Sequence, residues 1–231
     1  MTATVVLVHG AFADSSSWNG EIERVRAAGH RVIASANPLR GVAEDAAYVR
    51  SLLDTIEGPI VLVGHSYGGS VISAAAAGHP GVRALVYIAG FLPDEGESAG
   101  ELAAKFPGGT LGETLEQVPL SNGVDLYVRQ DLFHQQFAAD VPDAQALQMA
   151  VGQRPIAAAA LDEASPAPAW KDLPVYSLIP TADKNIPAAA QRFMAERAEA
   201  EVVEVADASH AVLVSQPEAV AELILRAAKR A

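Results

Sequence analysis

The chain has 231 residues, of which half are apolar and 19% are charged, and it contains no cysteine. This length and composition are typical of one globular domain with a substantial core, and the lack of cysteine excludes disulfides, thiolate catalysis and cysteine-ligated metals. The formal charge of −12 argues against nucleic acid or an anionic membrane as a partner, because both attract clusters of lysine and arginine.

The N-terminal segment predicts no targeting sequence. The chain enters a strand-like run at residues 4–8 (TVVLV) without a basic region ahead of a long apolar stretch. No apolar run approaches the roughly 18 residues that a membrane helix needs. We therefore expect a cytoplasmic protein that does not associate with membranes.

Short apolar runs alternate with segments of helical character along most of the chain. This alternation predicts a mostly parallel six-stranded sheet that is covered by helices on both faces. The predicted strands are Thr4–His9, Arg31–Ser35, Ile60–Gly64, Ala84–Ala89, Val175–Ile179 and Glu201–Val205. The predicted helices lie at about Trp18–Ala28, Val42–Ile56, Ser66–Gly78, Ala188–Ala198 and Glu218–Arg230.

The alternation stops between Asp94 and Trp170, in a stretch that is rich in glycine, proline and alanine. Long insertions in compact domains are usually functional, and many of them cover an active site. We therefore predict a core formed by residues 1–93 and 171–231, with residues 94–170 inserted as a helical cap. The predicted helical pieces of the cap are Ser98–Lys105, Leu126–Phe137, Pro142–Val151 and Pro155–Glu163.

The most informative motif is the pentapeptide at residues 64–68 (GHSYG), which lies between a predicted strand and a predicted helix. A serine flanked by glycines at such a junction is typical of a nucleophile elbow, a sharp turn that exposes the serine hydroxyl. The flanking positions, Gly64 and Gly68, come close to neighbouring chain, where a Cβ atom would clash. The motif therefore predicts Ser66 as a nucleophile.

A serine nucleophile needs a base, and the base needs an acid that orients it. His210 follows the last predicted strand, and Asp183 follows the strand before it. The carboxyl ends of parallel strands meet at one edge of a sheet, and the order Ser, Asp, His is the order found in elbow-containing hydrolases. We predict His210 as the base and Asp183 as the acid.

Two other carboxylates compete with Asp183 for the role of the acid. Asp207 lies three residues before His210, and Asp94 follows the fourth predicted strand, where some enzymes of this architecture carry the acid. The setting of Asp183 in the loop at residues 180–183 (PTAD), directly after a strand, favours it over both.

The loop after the first strand predicts donors for an oxyanion, which acyl transfer requires. The backbone N–H groups of Ala11 and Tyr67 are the predicted donors, and the N–H of Phe12 is a further candidate. Side chains near these loops predict a substrate pocket, for which the candidates are Phe12, Phe91, Leu92 and His134.

The chain resembles the α/β-hydrolase superfamily and, within it, the small esterases related to plant methylesterases and hydroxynitrile lyases. The resembling segments span nearly the whole chain outside the cap and lie at residues 6–11, 28–32, 58–69, 181–187, 209–210 and 215–217. The resemblance implies an α/β-hydrolase core, a helical cap over the site, and Ser66, His210 and Asp183 as nucleophile, base and acid.

We expect a cofactor-independent serine hydrolase that cleaves a small carboxylic ester through an acyl-enzyme, with no metal. One alternative is a carbon–carbon lyase of the hydroxynitrile-lyase type. The known lyases of this group carry a threonine where this chain has Gly10, which favours hydrolysis. The other alternative is a ligand-binding homologue with little or no turnover.

Overall fold

The computed structural model describes residues 2–231 and contains a central parallel sheet. In chain order the strands are β1 (Thr4–Val8), β2 (Arg31–Ser35), β3 (Ile60–His65), β4 (Val82–Ile88), β5 (Leu115–Leu120), β6 (Gly123–Val128), β7 (Ile156–Ala157), β8 (Val175–Pro180) and β9 (Glu201–Val205). Six of them form the central sheet in the order β2-β1-β3-β4-β8-β9, and each neighbouring pair is parallel. The prediction of a six-stranded sheet is confirmed.

Helices cover both faces of this sheet. They are α1 (Asn19–Ala27), α2 (Val42–Leu53), α3 (Tyr67–Ala75), α4 (Ala99–Ala104), α5 (Leu111–Thr114), α6 (Gln130–Phe137), α7 (Asp143–Gly152), α8 (Ala158–Asp162), α9 (Ala188–Arg197), α10 (Val212–Ser215) and α11 (Pro217–Ala228). Within residues 2–231, no helix combines the length and the apolar character that a membrane span requires.

Alternation along the central strands divides the apolar core into two layers. Val6 and Val8 of β1 join one cluster, which includes residues of α2, α3 and α9, whereas Val5 and Leu7 join a second cluster with residues of α1 and α11. Successive side chains of a strand point to opposite faces, so a strand that is buried on both faces is apolar throughout. This explains why β1 and β3 are recognisable as uninterrupted apolar runs.

The segment 94–170 differs from the expected all-helical cap. Besides α4 to α8 it contains a three-stranded antiparallel sheet in the order β5-β6-β7. The predicted helix Leu126–Phe137 is wrong over its first four residues, because Leu126 to Val128 pair with β5 and α6 begins only at Gln130. An apolar run this short fits a strand as well as a helix, and its strand partners decide the outcome.

Charged groups attach this segment to the core at the start of α2. Arg40 donates to Asp125 at 2.6 Å between Nη1 and Oδ1. Glu163 accepts hydrogen bonds from the backbone N–H groups of Val42 and Ala43, at 2.6 Å and 3.1 Å. A carboxylate at a helix N-terminus satisfies free N–H groups and complements the helix dipole. The cap is therefore held to the core by directional contacts as well as by apolar packing.

One buried carboxyl group lies far from these contacts. Glu21 on α1 is fully buried, and neither of its carboxyl oxygens has a hydrogen-bond partner among residues 2–231. Burial raises the pKa of Glu21 from its ordinary value of 4.5 to about 8, and the nearby Arg24 opposes this shift. The folded protein therefore keeps a proton that the unfolded chain releases above pH 4.5. The contribution of Glu21 to the free energy of unfolding is fully present below pH 4.5 and is lost as the pH rises toward about 8.

We expect Glu21→Gln to remove this pH dependence, because glutamine has the shape of the protonated carboxyl group. The variant should exceed the wild type in free energy of unfolding by about 2–4 kcal/mol at pH 8 and differ little near pH 4.5. Urea unfolding across this pH range measures the difference. Glu23→Gln, an exposed change on the same helix, is the matched control. An equal gain at every pH would contradict the expectation.

Candidate active site

Ser66 lies in the sharp turn between β3 and α3. Its backbone has φ 54° and ψ −125°, a conformation with positive φ that residues other than glycine rarely adopt. Its N–H donates to the carbonyl oxygen of Ile88 at 3.1 Å, and its own carbonyl accepts from Gly69 and Phe91, at 2.9 Å and 3.1 Å. Neighbouring chain thus holds the turn in a strained conformation, as is common at functional positions.

The glycines of the turn allow backbone segments to approach each other. A Cβ atom on Gly64 would lie 2.6 Å from the carbonyl oxygen of Gly68, and one on Gly68 would lie 2.6 Å from the carbonyl oxygen of Val8. Gly10 is constrained in the same way, because its Cβ would lie 2.6 Å from the Cβ of Ser66. A threonine at position 10, as in the hydroxynitrile lyases, therefore does not fit this backbone.

His210 and Asp183 form a buried pair in the loops that follow β9 and β8. The Nδ1 atom of His210 lies 2.7 Å from Oδ2 of Asp183, and both side chains are almost fully buried. The competing carboxylates are elsewhere: Asp94 pairs with Lys171 at 2.5 Å, and Asp207 is exposed. Because Nδ1–H donates to Asp183, the Nε2 atom of a neutral His210 is free to accept a proton.

The carboxylate of Asp183 accepts four hydrogen bonds. Oδ1 accepts from the backbone N–H groups of Asn185 and Ile186, at 2.7 Å and 3.0 Å. Oδ2 accepts from His210 and from Nε2 of Gln191 at 2.8 Å. These donors stabilise the charged carboxylate and fix the direction of its bond to His210. The sequence does not indicate a role for Gln191. It is the one polar residue among the first four of α9 (AAAQ), and the structure shows that it is buried.

A second histidine supports the backbone of His210. His65 is fully buried, its Nε2 lies 3.0 Å from the carbonyl oxygen of His210, and the two ring centroids are 4.8 Å apart. Burial lowers the pKa of His65 well below its usual value, and the proximity of His210 lowers it further. The neutral ring therefore carries its proton on Nε2 and donates to His210.

Burial likewise lowers the pKa of His9, whose Nε2 accepts from the N–H of Asn37.

Two backbone N–H groups beside Ser66 have no acceptor among residues 2–231, those of Ala11 and Tyr67. Both residues line the same cavity as Ser66, and Tyr67 is the first residue of α3, where helical N–H groups lack intrahelical partners. The N–H of Phe12 differs, because it donates to the carbonyl oxygen of Arg154 at 2.9 Å. It is therefore not available to a substrate.

A cavity of about 60 Å³ is lined by both Ser66 and His210. Its walls are mostly apolar, and Phe12 and Phe91 contribute to them as the sequence analysis expected. The Ser66 hydroxyl donates to no described residue within 2–231, although it lines the same cavity as His210. The cavity can accept a small neutral group next to the serine.

Two of the expected pocket residues lie outside this lining. Leu92 is buried in the core, where its N–H points to the sulfur of Met194. His134 is near the surface of the cap, where its Nε2 bonds the carbonyl oxygen of Val141 at 2.9 Å. The expectation for Leu92 rests on its position after β4, and that for His134 on its place in the inserted segment.

The cap contributes a residue to the site that the sequence analysis did not select. Phe137, at the end of α6, lines the cavity with its ring centroid 4.9 Å from that of His210. Its carbonyl oxygen accepts from the N–H of Ala211 at 3.0 Å and from the hydroxyl of Ser209 at 3.3 Å. The end of α6 is thus fixed to the loop that carries His210.

No group of three or more histidine, aspartate or glutamate side chains in the described part of the chain, residues 2–231, is arranged to hold a metal ion.

Comparison with known proteins agrees with this architecture. The model of a family described as "Alpha/beta hydrolase family" matches residues 5–223. A carbendazim hydrolyzing esterase from Nocardioides sp. (strain SG-4G) is 33% identical over 50% of this chain and 57% of that protein. Esterase PIR7B from Oryza sativa subsp. japonica is 28% identical over 97% of this chain and 95% of that protein. The crystal structure of polyneuridine aldehyde esterase superposes with a TM-score of 0.84, at 19% identity, over 98% of this chain and 99% of that one.

Proposed function

The chain belongs to the alpha/beta hydrolase family, and on that premise we propose that it is a carboxylic ester hydrolase with Ser66 as nucleophile, His210 as base and Asp183 as acid. The observation that carries the proposal is the buried 2.7 Å pair of His210 and Asp183, with His210 lining the same cavity as Ser66. The similarity to proteins named as esterases supports the same reaction class.

Acylation begins when the Ser66 hydroxyl attacks the ester carbonyl and His210 takes its proton at Nε2. Asp183 accepts from Nδ1–H and stabilises the imidazolium that forms. The carbonyl oxygen becomes an oxyanion and receives hydrogen bonds from the N–H groups of Ala11 and Tyr67. Collapse of the tetrahedral intermediate expels the alcohol, which takes the proton from Nε2 of His210, and leaves the acyl group on Ser66.

Deacylation repeats these steps with water as the nucleophile. His210 removes a proton from the water molecule, the resulting hydroxide attacks the acyl carbon, and the same two N–H groups receive the oxyanion. The proton then returns from His210 to the Ser66 oxygen as the carboxylic acid leaves. Every proton moves through one imidazole, so the chemistry requires no cofactor.

The size and polarity of the cavity indicate which esters fit. With about 60 Å³ beside Ser66 and walls formed largely by alanine, leucine and phenylalanine side chains, the site favours a small uncharged group. A carboxylate or ammonium group placed there would lose its hydration without an opposite charge to compensate. We therefore propose small neutral carboxylic esters as substrates.

Covalent labelling tests the nucleophile directly. We expect a fluorophosphonate to phosphonylate Ser66 with loss of fluoride, because the base activates only this serine. Mass spectrometry of the digested protein should locate the label in the peptide containing residues 64–68. The Ser70→Ala variant is the matched control, since Ser70 is a buried serine of the same turn-and-helix segment, and it should label like the wild type. A wild type that takes up no label would favour the ligand-binding alternative.

A further inference from the structure

One polar side chain of the cavity lining has no role in the mechanism above. Asn185, two residues after Asp183, is 4% exposed and lines the cavity together with Ser66 and His210. Its Nδ2 is buried, and no acceptor for it exists among residues 2–231. A buried amide donor without an acceptor costs about 1–3 kcal/mol. Such an atom beside a catalytic serine requires an explanation.

Neighbouring hydrogen bonds fix the orientation of the Asn185 amide. Nε2 of Gln136 lies 3.1 Å from the carbonyl oxygen of Lys184, which can only accept, so this Gln136 atom is the nitrogen. The same nitrogen donates to Oδ1 of Asn185 at 2.8 Å, so the atom of Asn185 that faces Gln136 is the oxygen. The hydroxyl of Thr110 donates to Oε1 of Gln136 at 2.9 Å and completes the chain. A flipped Asn185 amide would set two donors against each other.

The other polar side chains of the lining are already engaged. The hydroxyl of Tyr67 donates to Asp45 at 2.9 Å, and His210 is paired with Asp183. Apart from Ser66, the remaining lining residues are glycine, apolar or aromatic, so they offer no side-chain acceptor for Nδ2. No lining side chain bonds Nδ2, and a molecule bound in the cavity would supply the acceptor.

We propose that Asn185 Nδ2 is a specificity-determining donor that binds an oxygen atom of the substrate other than the ester oxygens. The inference rests on the proposed ester hydrolysis and narrows its substrate class. The preferred esters carry an ether, ketone or hydroxyl oxygen within an otherwise apolar acyl or alcohol group. A methylene at that place leaves Nδ2 without an acceptor, and sites built to bond a polar group discriminate against analogues that lack it.

Matched ester pairs test this proposal. On the acyl side, p-nitrophenyl methoxyacetate is compared with p-nitrophenyl butanoate, and the 3-methoxypropanoate with the pentanoate. On the alcohol side, 2-methoxyethyl acetate is compared with butyl acetate. Each pair exchanges one oxygen for one methylene, and dividing kcat/KM by the rate of hydroxide hydrolysis removes the intrinsic reactivity of the ester. The measured quantity is the normalised ratio of the oxygen ester to its methylene partner.

Three variants separate the donor from its surroundings. Asn185→Leu removes the donor at similar size, and Asn185→Asp keeps an oxygen toward Gln136 but replaces Nδ2 by an acceptor. Thr110→Val removes a hydrogen bond of the same network and leaves the Asn185 amide, held by Gln136, in place. For at least one pair we expect the ratio to fall about 5- to 30-fold in both Asn185 variants and to stay unchanged in Thr110→Val.

Equal ratios in the wild type and both Asn185 variants for every pair would overturn the donor role. A loss of activity that is the same for both members of each pair would assign Asn185 a purely structural role and would also overturn it. Failure of the proposed function is distinguishable, because the wild type would then hydrolyse none of the esters and would not be labelled by the fluorophosphonate.

Discussion

Replacement of Ser66 by alanine is expected to lower kcat/KM for p-nitrophenyl acetate by on the order of 10⁴-fold or more. The change removes the only atom that can form the acyl-enzyme and leaves the donors at Ala11 and Tyr67 in place. The residual rate should come from these donors and from binding alone. Initial rates with purified variant and wild type, measured at equal protein concentration, provide the comparison.

The structure of the Ser66→Ala variant should be unchanged, so its free energy of unfolding in urea is the control measurement. The Ser66 hydroxyl donates to no described residue within 2–231, and alanine has the same backbone restrictions at φ 54° as serine. We therefore expect a stability change below about 1 kcal/mol. Activity within tenfold of the wild type would refute Ser66 as the nucleophile.

Asp183→Asn is expected to reduce kcat/KM by about 10³- to 10⁴-fold. An amide at position 183 cannot stabilise the imidazolium by charge. If its NH₂ group faces His210, it also meets Gln191 Nε2, which lies 2.8 Å from Oδ2 in the wild type. If its oxygen faces His210 instead, the NH₂ group meets the N–H groups of Asn185 and Ile186, which now donate to Oδ1. Either orientation leaves donors opposed, and the first also requires His210 to accept at Nδ1, which moves its proton to Nε2.

Steady-state kinetics of Asp183→Asn should be compared with Asp207→Asn and Asp94→Asn. These controls remove the other two carboxylates that the sequence offered as the acid, one exposed and one paired with Lys171. Both controls should keep activity within a few-fold of the wild type. A larger loss in either control than in Asp183→Asn would assign the acid to that position.

The central sheet could be predicted because its strands carry a strong local signal. Strand β3 is buried at each of its six residues, and burial on both faces accounts for the apolar run of its first four, Ile60 to Val63. The small sheet of the cap carries a weak signal, since β5 is half exposed or exposed at every residue and contains Pro119. Its formation depends on pairing with β6, which the sequence pattern does not specify.

The same distinction holds at the candidate site. Ser66, Asp183 and His210 follow the parallel strands β3, β8 and β9, so the sheet topology brings them to one edge. Gln136 bonds Asn185 from 49 positions away along the chain, through a cap helix whose placement depends on tertiary packing. No short-range pattern predicts such a contact, and for the same reason the sequence does not indicate that Phe137 rather than His134 lines the cavity from α6.

The C-terminal end of α6 contacts two loops of the candidate site. Gln136 is bonded to the loop that carries Asp183, and Phe137 to the loop that carries His210. A chimaera that received the cap of another family member would therefore need matching hydrogen-bond partners at these two positions. Without them, the loops of the recipient would lose contacts that hold the residues corresponding to Asp183 and His210 in place. Changes in ester preference are thus more readily accommodated through single wall residues such as Phe12 or Asn185 than through exchange of the whole segment.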